Sequence, residues 1–153
     1  MAVEKIYLDT NLLIGFFKNI IQKEKKPSEY PLIIDFLAKH NEIEKFISIF
    51  SIAEIIEVLR RTYSANNLSK EYILGLVDTL SASIDLKVIK EASLSDRIID
   101  YTYLCNDAKD AIHIDICRAS EMWFITADDK CGRVKGAYDR IMGERKFRKH
   151  FTN

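Results

Sequence analysis

The sequence predicts an α/β fold in which helices cover both faces of a parallel sheet. Three observations predict it. Short apolar runs of strand length alternate with longer segments of helical periodicity, as repeated β-α-β units require. The runs are apolar at consecutive positions, which suits strands buried on both faces. The first and last clear runs, Ile6-Tyr7-Leu8 and Trp123-Phe124-Ile125, end abruptly in polar residues, Asp9-Thr10-Asn11 and Thr126-Ala127-Asp128. Open α/β sheets hold their ligands at such strand ends.

The elements follow in order. Ile6 to Leu8 is the first strand, and Leu12-Leu13-Ile14-Gly15-Phe16-Phe17 is a helix with Thr10 or Asn11 available to cap it. Lys23 to Pro31 contains both prolines of the protein and reads as a loop. Pro31 to Lys39 resumes helical spacing, with proline in the first turn where its missing donor is harmless. Lys45 to Phe50 is the second strand and Ser51 to Arg61 the helix after it. Ser69 caps a helix through about Ser81, and Ile84 to Ile89 is the third strand. Ser93 or Ser95 opens a helix to Leu104, and another runs from Asp107 to Ser120. Met122 to Thr126 is a short buried strand. Beyond Gly132 the pattern fits a short edge strand and a terminal helix.

At 153 residues the chain suits one well-buried domain, residues 1–153. No apolar run approaches the roughly 20 residues of a membrane span, and the N-terminus lacks a signal peptide's basic and apolar regions, so a cytoplasmic protein is expected. Cys105, Cys117 and Cys131 form no C-x-x-C pair and read as buried or incidental thiols. His40, His113 and His150 are scattered, which leaves little basis for a histidine metal site or a Ser-His-Asp triad. Carboxylates must carry the chemistry. Net charge is zero, yet from Lys130 onward eight Lys or Arg face only Asp139 and Glu144. That segment, including Lys130, Arg133 and Lys135, suits a polyanionic partner such as RNA, although a solvated basic helix explains the same run.

In a parallel sheet all strand ends share one edge, so Asp9 and Asp128 meet if the winding reverses between their strands. Glu54 and Asp110 are placed near helix starts on that edge. Each has a structural alternative. Ser51-Ile52-Ala53-Glu54 fits a capping box, Asp107 and Asp110 suit a helix N-terminus, and Asp128-Asp129 suits a polar turn. If the acids converge, two carboxylates about 5 Å apart repel by roughly 3 kcal/mol at an effective dielectric near 20. A cation must relieve that. All-oxygen donors select Mg²⁺ or Mn²⁺, ions that serve displacement at phosphorus without a protein nucleophile.

These residues carry a family resemblance. Ile6-Tyr7-Leu8-Asp9-Thr10-Asn11 resembles the opening motif of PIN-domain nucleases, and Ser51-Ile52-Ala53-Glu54 is similar to their second. Asp110-Ala111-Ile112-His113-Ile114 resembles the third, and Phe124-Ile125-Thr126-Ala127-Asp128 the fourth. The resemblance implies a three-layer α/β/α domain, metal-dependent cleavage of RNA with one or two Mg²⁺ or Mn²⁺ ions, and frequent homodimerisation. It places Asp9, Glu54, Asp110 and Asp128 on the acidic, metal-binding positions. Thr10 or Asn11 falls on the polar residue supporting the first Asp, and Thr126 on the hydroxyl accompanying the last. Asp107 and Asp129 are spare acids. Many short stand-alone members are VapC-type toxins restrained by an antitoxin, which makes an antitoxin a partner implied here. The chain departs from the family pattern in two places: the Asn19 to Pro31 region is longer than the usual short link between the first two helices, and the family often has an Asp two residues after Asp128, where this chain has Lys130.

Two function classes follow. One is a metal-dependent endoribonuclease whose basic C-terminal segment holds RNA backbone. The other is a catalytically silent or gated RNA-binding or scaffold module on the same fold, since fold does not fix function. A phosphatase or receiver-domain reading also starts from a strand-end Asp, but those phosphatases need a second Asp two residues on, and Asn11 stands there. His113 suits a buried core histidine or a residue facing the site. Tyr101 and Tyr103 suit packing or base stacking. The core claims most of Phe16, Phe17, Ile55, Ile56 and Leu59, leaving the remainder for a dimer or antitoxin contact.

Overall fold

A computed structural model describes residues 5–22 and 31–152. Five strands form the sheet: β1 (Lys5–Leu8), β2 (Glu44–Ser48), β3 (Leu86–Ile89), β4 (Trp123–Thr126) and β5 (Ile141–Gly143). Their order is β3-β2-β1-β4-β5 and every pairing is parallel. The chain thus builds outward from β1 to β3, then crosses to the other side of β1 for β4 and β5. The winding reverses between β1 and β4, the place where a doubly wound sheet opens a crevice beyond its strand ends.

Among the described residues seven α-helices connect and cover the strands: α1 (Thr10–Gln22), α2 (Pro31–Lys39), α3 (Ile49–Thr62), α4 (Lys70–Ile84), α5 (Arg97–Cys105), α6 (Ala108–Ser120) and α7 (Glu144–Thr152). Alternation along the strands sorts them into two layers. Ile6, Leu8 and Ile47 point to one face and pack with Leu12, Leu13, Phe17, Ile55, Leu59, Leu80 and Phe147 from α1, α3, α4 and α7. Tyr7 and Phe124 point to the other and pack with Tyr101, Cys105, Ile114 and Cys117 from α5 and α6. The sheet is therefore the middle of three layers, as the sequence predicts.

Phe17, Ile55 and Leu59 are fully buried, Phe16 and Ile56 are partly so, and Tyr101 is buried whereas Tyr103 is 88% exposed. Beyond Gly132 the edge strand and terminal helix are both present. The loop expected over Lys23 to Pro31 lies outside the described residues up to Tyr30, and Pro31 opens α2. No described helix is long and apolar enough to cross a membrane.

Several boundaries differ from expectation. α4 runs on past Ser81 to Ile84, and Asp85 is its left-handed C-cap, so β3 begins at Leu86 and not at Ile84. β2 stops at Ser48 and α3 begins at Ile49, two residues before the expected Ser51. Ser48 is the N-cap and forms a reciprocal capping box with Ser51, so Glu54 is past the first turn and takes no part in capping. Ile49 and Phe50 carry apolar side chains that read as strand, but the capping pair decides the start. Of the two serines expected to open α5, Ser95 does so: its hydroxyl accepts from the Arg97 amide at 3.2 Å and donates to the buried carboxylate of Asp115 at 2.8 Å.

Candidate metal centre

Asp9 leaves the end of β1 with its amide donating to the Ile125 carbonyl of β4 at 2.9 Å, which anchors it at the reversal point of the sheet. Its side chain is buried, and Oδ2 accepts a hydrogen bond from Thr126 Oγ1 at 2.6 Å. Thr126 also accepts from the Asp128 amide at 2.9 Å, so one hydroxyl ties the ends of both strands together. Neither Thr10 nor Asn11 does this. Thr10 Oγ1 and Asn11 Oδ1 are buried without a hydrogen-bond partner among the described residues, so the support expected of them comes from Thr126.

Asp110 reaches the same place from α6. Asp107 is the N-cap there, its carboxylate accepting from the Lys109 and Asp110 amides at 3.0 and 3.1 Å. With the cap supplied by Asp107, the Asp110 side chain turns inward. Carboxylate oxygens of Asp9 and Asp110 lie within 4.8 Å of each other and of Cys131 Sγ. The Cys131 thiol faces Asp110 Oδ2 at 3.6 Å. Cys131 is thus a buried thiol, as expected, but one inside the acid cluster. Its place follows from the turn at Asp128, whose carbonyl accepts from the Cys131 amide at 3.3 Å.

Glu54 and Asp128 flank this pair. The charge of Glu54 bears on Asp9, and that of Asp128 on Asp110. Glu54 is half-buried, and its Oε1 lies 3.3 Å from His113 Nε2. The Thr10 hydroxyl favours the ionised Glu54 without reaching hydrogen-bond geometry. His113 satisfies both expectations for it: it is 2% exposed, and it faces the acids. Its Nδ1 lies 2.6 Å from Tyr7 Oη. A pocket lined by Phe50, Ala53, Glu54, Glu57, Lys109, Ile112 and His113 opens between α3 and α6. Asp128 accepts from the Lys130 amide at 2.9 Å, and Lys130 Nζ sits 3.3 Å from Asp128 and 3.7 Å from Asp107. Arg133 and Lys135 are exposed on the turn that follows, and the Asp129 side chain lies outside the described residues.

The electrostatics separate these acids from an ordinary buried carboxylate. Asp115 is fully buried on α6, and it has Arg118 at 2.7 Å and the Ser95 amide and hydroxyl at 2.6 and 2.8 Å. Burial alone would raise it, but those partners hold it below the usual range. Asp9 and Asp110 have no Lys or Arg ion pair among the described residues. Burial, and then the charge of Asp110, pushes Asp9 from 3.8 to about 7. Burial, with Asp107 and Asp128, pushes Asp110 up to about 6. Buried charge without a counter-ion is costly, and a bound cation would offset that cost. Carboxylate oxygens suit a hard divalent ion, and burial pushes the Cys131 thiol beside them up.

The model of the family described as PIN domain matches residues 6–137. The chain belongs to the PIN-domain family. PIN domains are in general metal-dependent nucleases, which accords with the acid cluster at the end of β1. The PIN domain here is also similar to a solved structure, PAE2754 from Pyrobaculum aerophilum, at 17% identity and a TM-score of 0.57. That match covers 99% of this chain and 91% of the other. At that identity the likeness concerns the fold. No curated protein matches the chain.

Proposed function

We propose that the chain, as one catalytic unit, is a metal-dependent endoribonuclease in which Asp9, Glu54, Asp110 and Asp128 hold one or two Mg²⁺ or Mn²⁺ ions. One observation carries the reading: Asp9 and Asp110 are buried side by side with no Lys or Arg ion pair among the described residues, while Asp115, on the same helix as Asp110, has its arginine. When bound, the ion supplies Lewis-acid activation of water and neutralises charge developing at phosphorus. The chain's own residues do the rest. Thr126 fixes the Asp9 carboxylate, Asp107 frees Asp110 from capping, and Lys130 beside Asp128, with Arg133 and Lys135 exposed further along the same turn, offers cations for the RNA backbone. The family resemblance further suggests a cytoplasmic toxin, homodimeric and restrained by an antitoxin.

The test is cleavage of labelled single-stranded RNA, titrated with Mg²⁺ and Mn²⁺, beside Asp110→Asn from a parallel preparation. Metal-dependent cleavage lost by at least a thousandfold in the variant supports the proposal. Equal cleavage by both proteins identifies a contaminant and removes it.

A second reading, a gated RNA-binding module, is favoured by Lys130, whose ammonium lies on Asp128 at 3.3 Å where a metal ligand must be open. Lys130→Ala distinguishes the two. A gate predicts faster cleavage in the variant, whereas a backbone contact predicts weaker RNA binding and a shallower salt dependence.

A further inference from the structure

We infer that His113 is a positioning residue for Glu54, locked as its Nε2–H tautomer by a one-way hydrogen-bond relay from Ser48 and Ser51 through Tyr7. The inference rests on Glu54 being one of the metal carboxylates proposed above. The relay spans β1, the junction of β2 with α3, and α6, and Tyr7, Ser48, Ser51 and His113 are all buried.

The direction follows from counting protons. In the reciprocal cap, the Ser48 amide donates to Ser51 Oγ at 3.2 Å and the Ser51 amide to Ser48 Oγ at 3.4 Å. Each serine oxygen is therefore an acceptor already, with its own proton left to donate. The side-chain partner that both share is Tyr7 Oη, at 2.7 Å from Ser48 and 2.9 Å from Ser51. A phenol oxygen can receive both serine protons, and it has one proton to give. That proton goes to His113 Nδ1 at 2.6 Å. A neutral imidazole accepting at Nδ1 carries its proton on Nε2, which then faces Glu54 Oε1 at 3.3 Å as donor to acceptor.

The alternatives leave faults. With the proton on Nδ1, a bare Nε2 would confront a carboxylate oxygen. Tyr7 would also have to donate to a serine whose own proton then finds no acceptor among the described residues. An imidazolium removes the first fault and keeps the second. Unsatisfied buried donors are costly, so the relay has one consistent direction.

Its consequence is local to Glu54. A glutamate at the rim of a helix has several rotamers, and an ion that binds it must select one. A donor fixed on three buried elements makes that selection beforehand, as the outer partners of metal ligands do.

Two measurements test the inference. In long-range proton–nitrogen spectra of histidine-labelled wild-type protein at neutral pH, His113 is expected to show a protonated Nε2 and a bare Nδ1. Calorimetric Mn²⁺ binding is expected to weaken about tenfold in Tyr7→Phe and His113→Ala, the low end for outer-partner loss. His113→Gln, which retains an amide donor, is expected to recover most of that affinity. A wild-type spectrum with the proton on Nδ1, or with both nitrogens protonated, overturns the inference without recourse to any variant. Wild-type Mn²⁺ affinity in both Tyr7→Phe and His113→Ala overturns it alone. A wild-type protein that takes up no Mn²⁺ refutes the metal reading and this inference with it.

Discussion

Thr126 is the residue on which the geometry of Asp9 turns, because its single hydroxyl gives a proton to one acid and receives the amide of another. Replacing it with valine keeps the shape and removes both bonds. The Asp9 carboxylate, already desolvated, would lose the Thr126 hydrogen bond that stabilises its charged form. Thr126→Val is therefore expected to lower stability by about 1–3 kcal/mol at pH 8. The loss should shrink at pH 5, where Asp9 is protonated in the metal-free protein. Thr126→Ser retains the hydroxyl and should behave nearly as wild type. Chemical denaturation of the three proteins at both pH values checks this; an equal loss at pH 5 and pH 8 would mean that Thr126 acts through packing alone.

At the scale of elements, helix ends show where local chemistry was legible and where it was not. α4, α5 and α6 each end in a left-handed residue: Asp85, Asn106 and Glu121. Asn and Asp tolerate that conformation, whereas a glutamate with φ of 53° is strained. Glu121→Gly should relieve the strain, and thermal denaturation is expected to show a gain on the order of 0.5–1 kcal/mol. A loss would show that the Glu121 side chain makes a compensating contact. Among helix starts, Ser69 and Asp107 could be read from the sequence because each precedes a clear periodic run and acts within three residues. Ser48 could not, since Ile49-Phe50 continues the apolar run of β2 and hides the boundary. The meeting of Asp9 with Asp110 was legible because strand ends and helix starts fall on one edge of any parallel sheet. Cys131 and the Tyr7-His113 pair were not, because Tyr7 and His113 are 106 residues apart and meet only when α6 packs on the face of β1 that Tyr7 occupies. The sequence carries no local mark of that meeting.

Across the whole molecule, the two kinds of buried acid give stability opposite dependences on pH. Asp9 and Asp110 have folded values raised to about 7 and about 6. Between pH 4 and pH 7 the folded, metal-free protein thus holds more protons than the unfolded chain, and stability falls as pH rises through that window. Asp115 and Glu54 are held below the ordinary range by their partners. The stability they contribute is present above their unfolded values and is lost as pH falls through the folded ones. The metal-free protein should therefore be most stable near pH 5, and weaker at pH 8 by a few kcal/mol, since each tenfold gain in a carboxylate's proton affinity on folding is worth about 1.4 kcal/mol. A divalent ion reverses the upper limb. It binds the ionised acids of the folded state, and at a hundred times its dissociation constant it adds about 2.7 kcal/mol. Melting curves at pH 5, 6.5 and 8, each with chelator or with Mn²⁺, should show the metal-dependent gain growing with pH. Asp9→Asn should flatten the chelator series, because asparagine retains an acceptor for Thr126 and removes the principal titrating charge. A metal-free protein more stable at pH 8 than at pH 5 would show that Asp9 and Asp110 are already neutralised within the chain, and would remove the electrostatic reason for a cation between them.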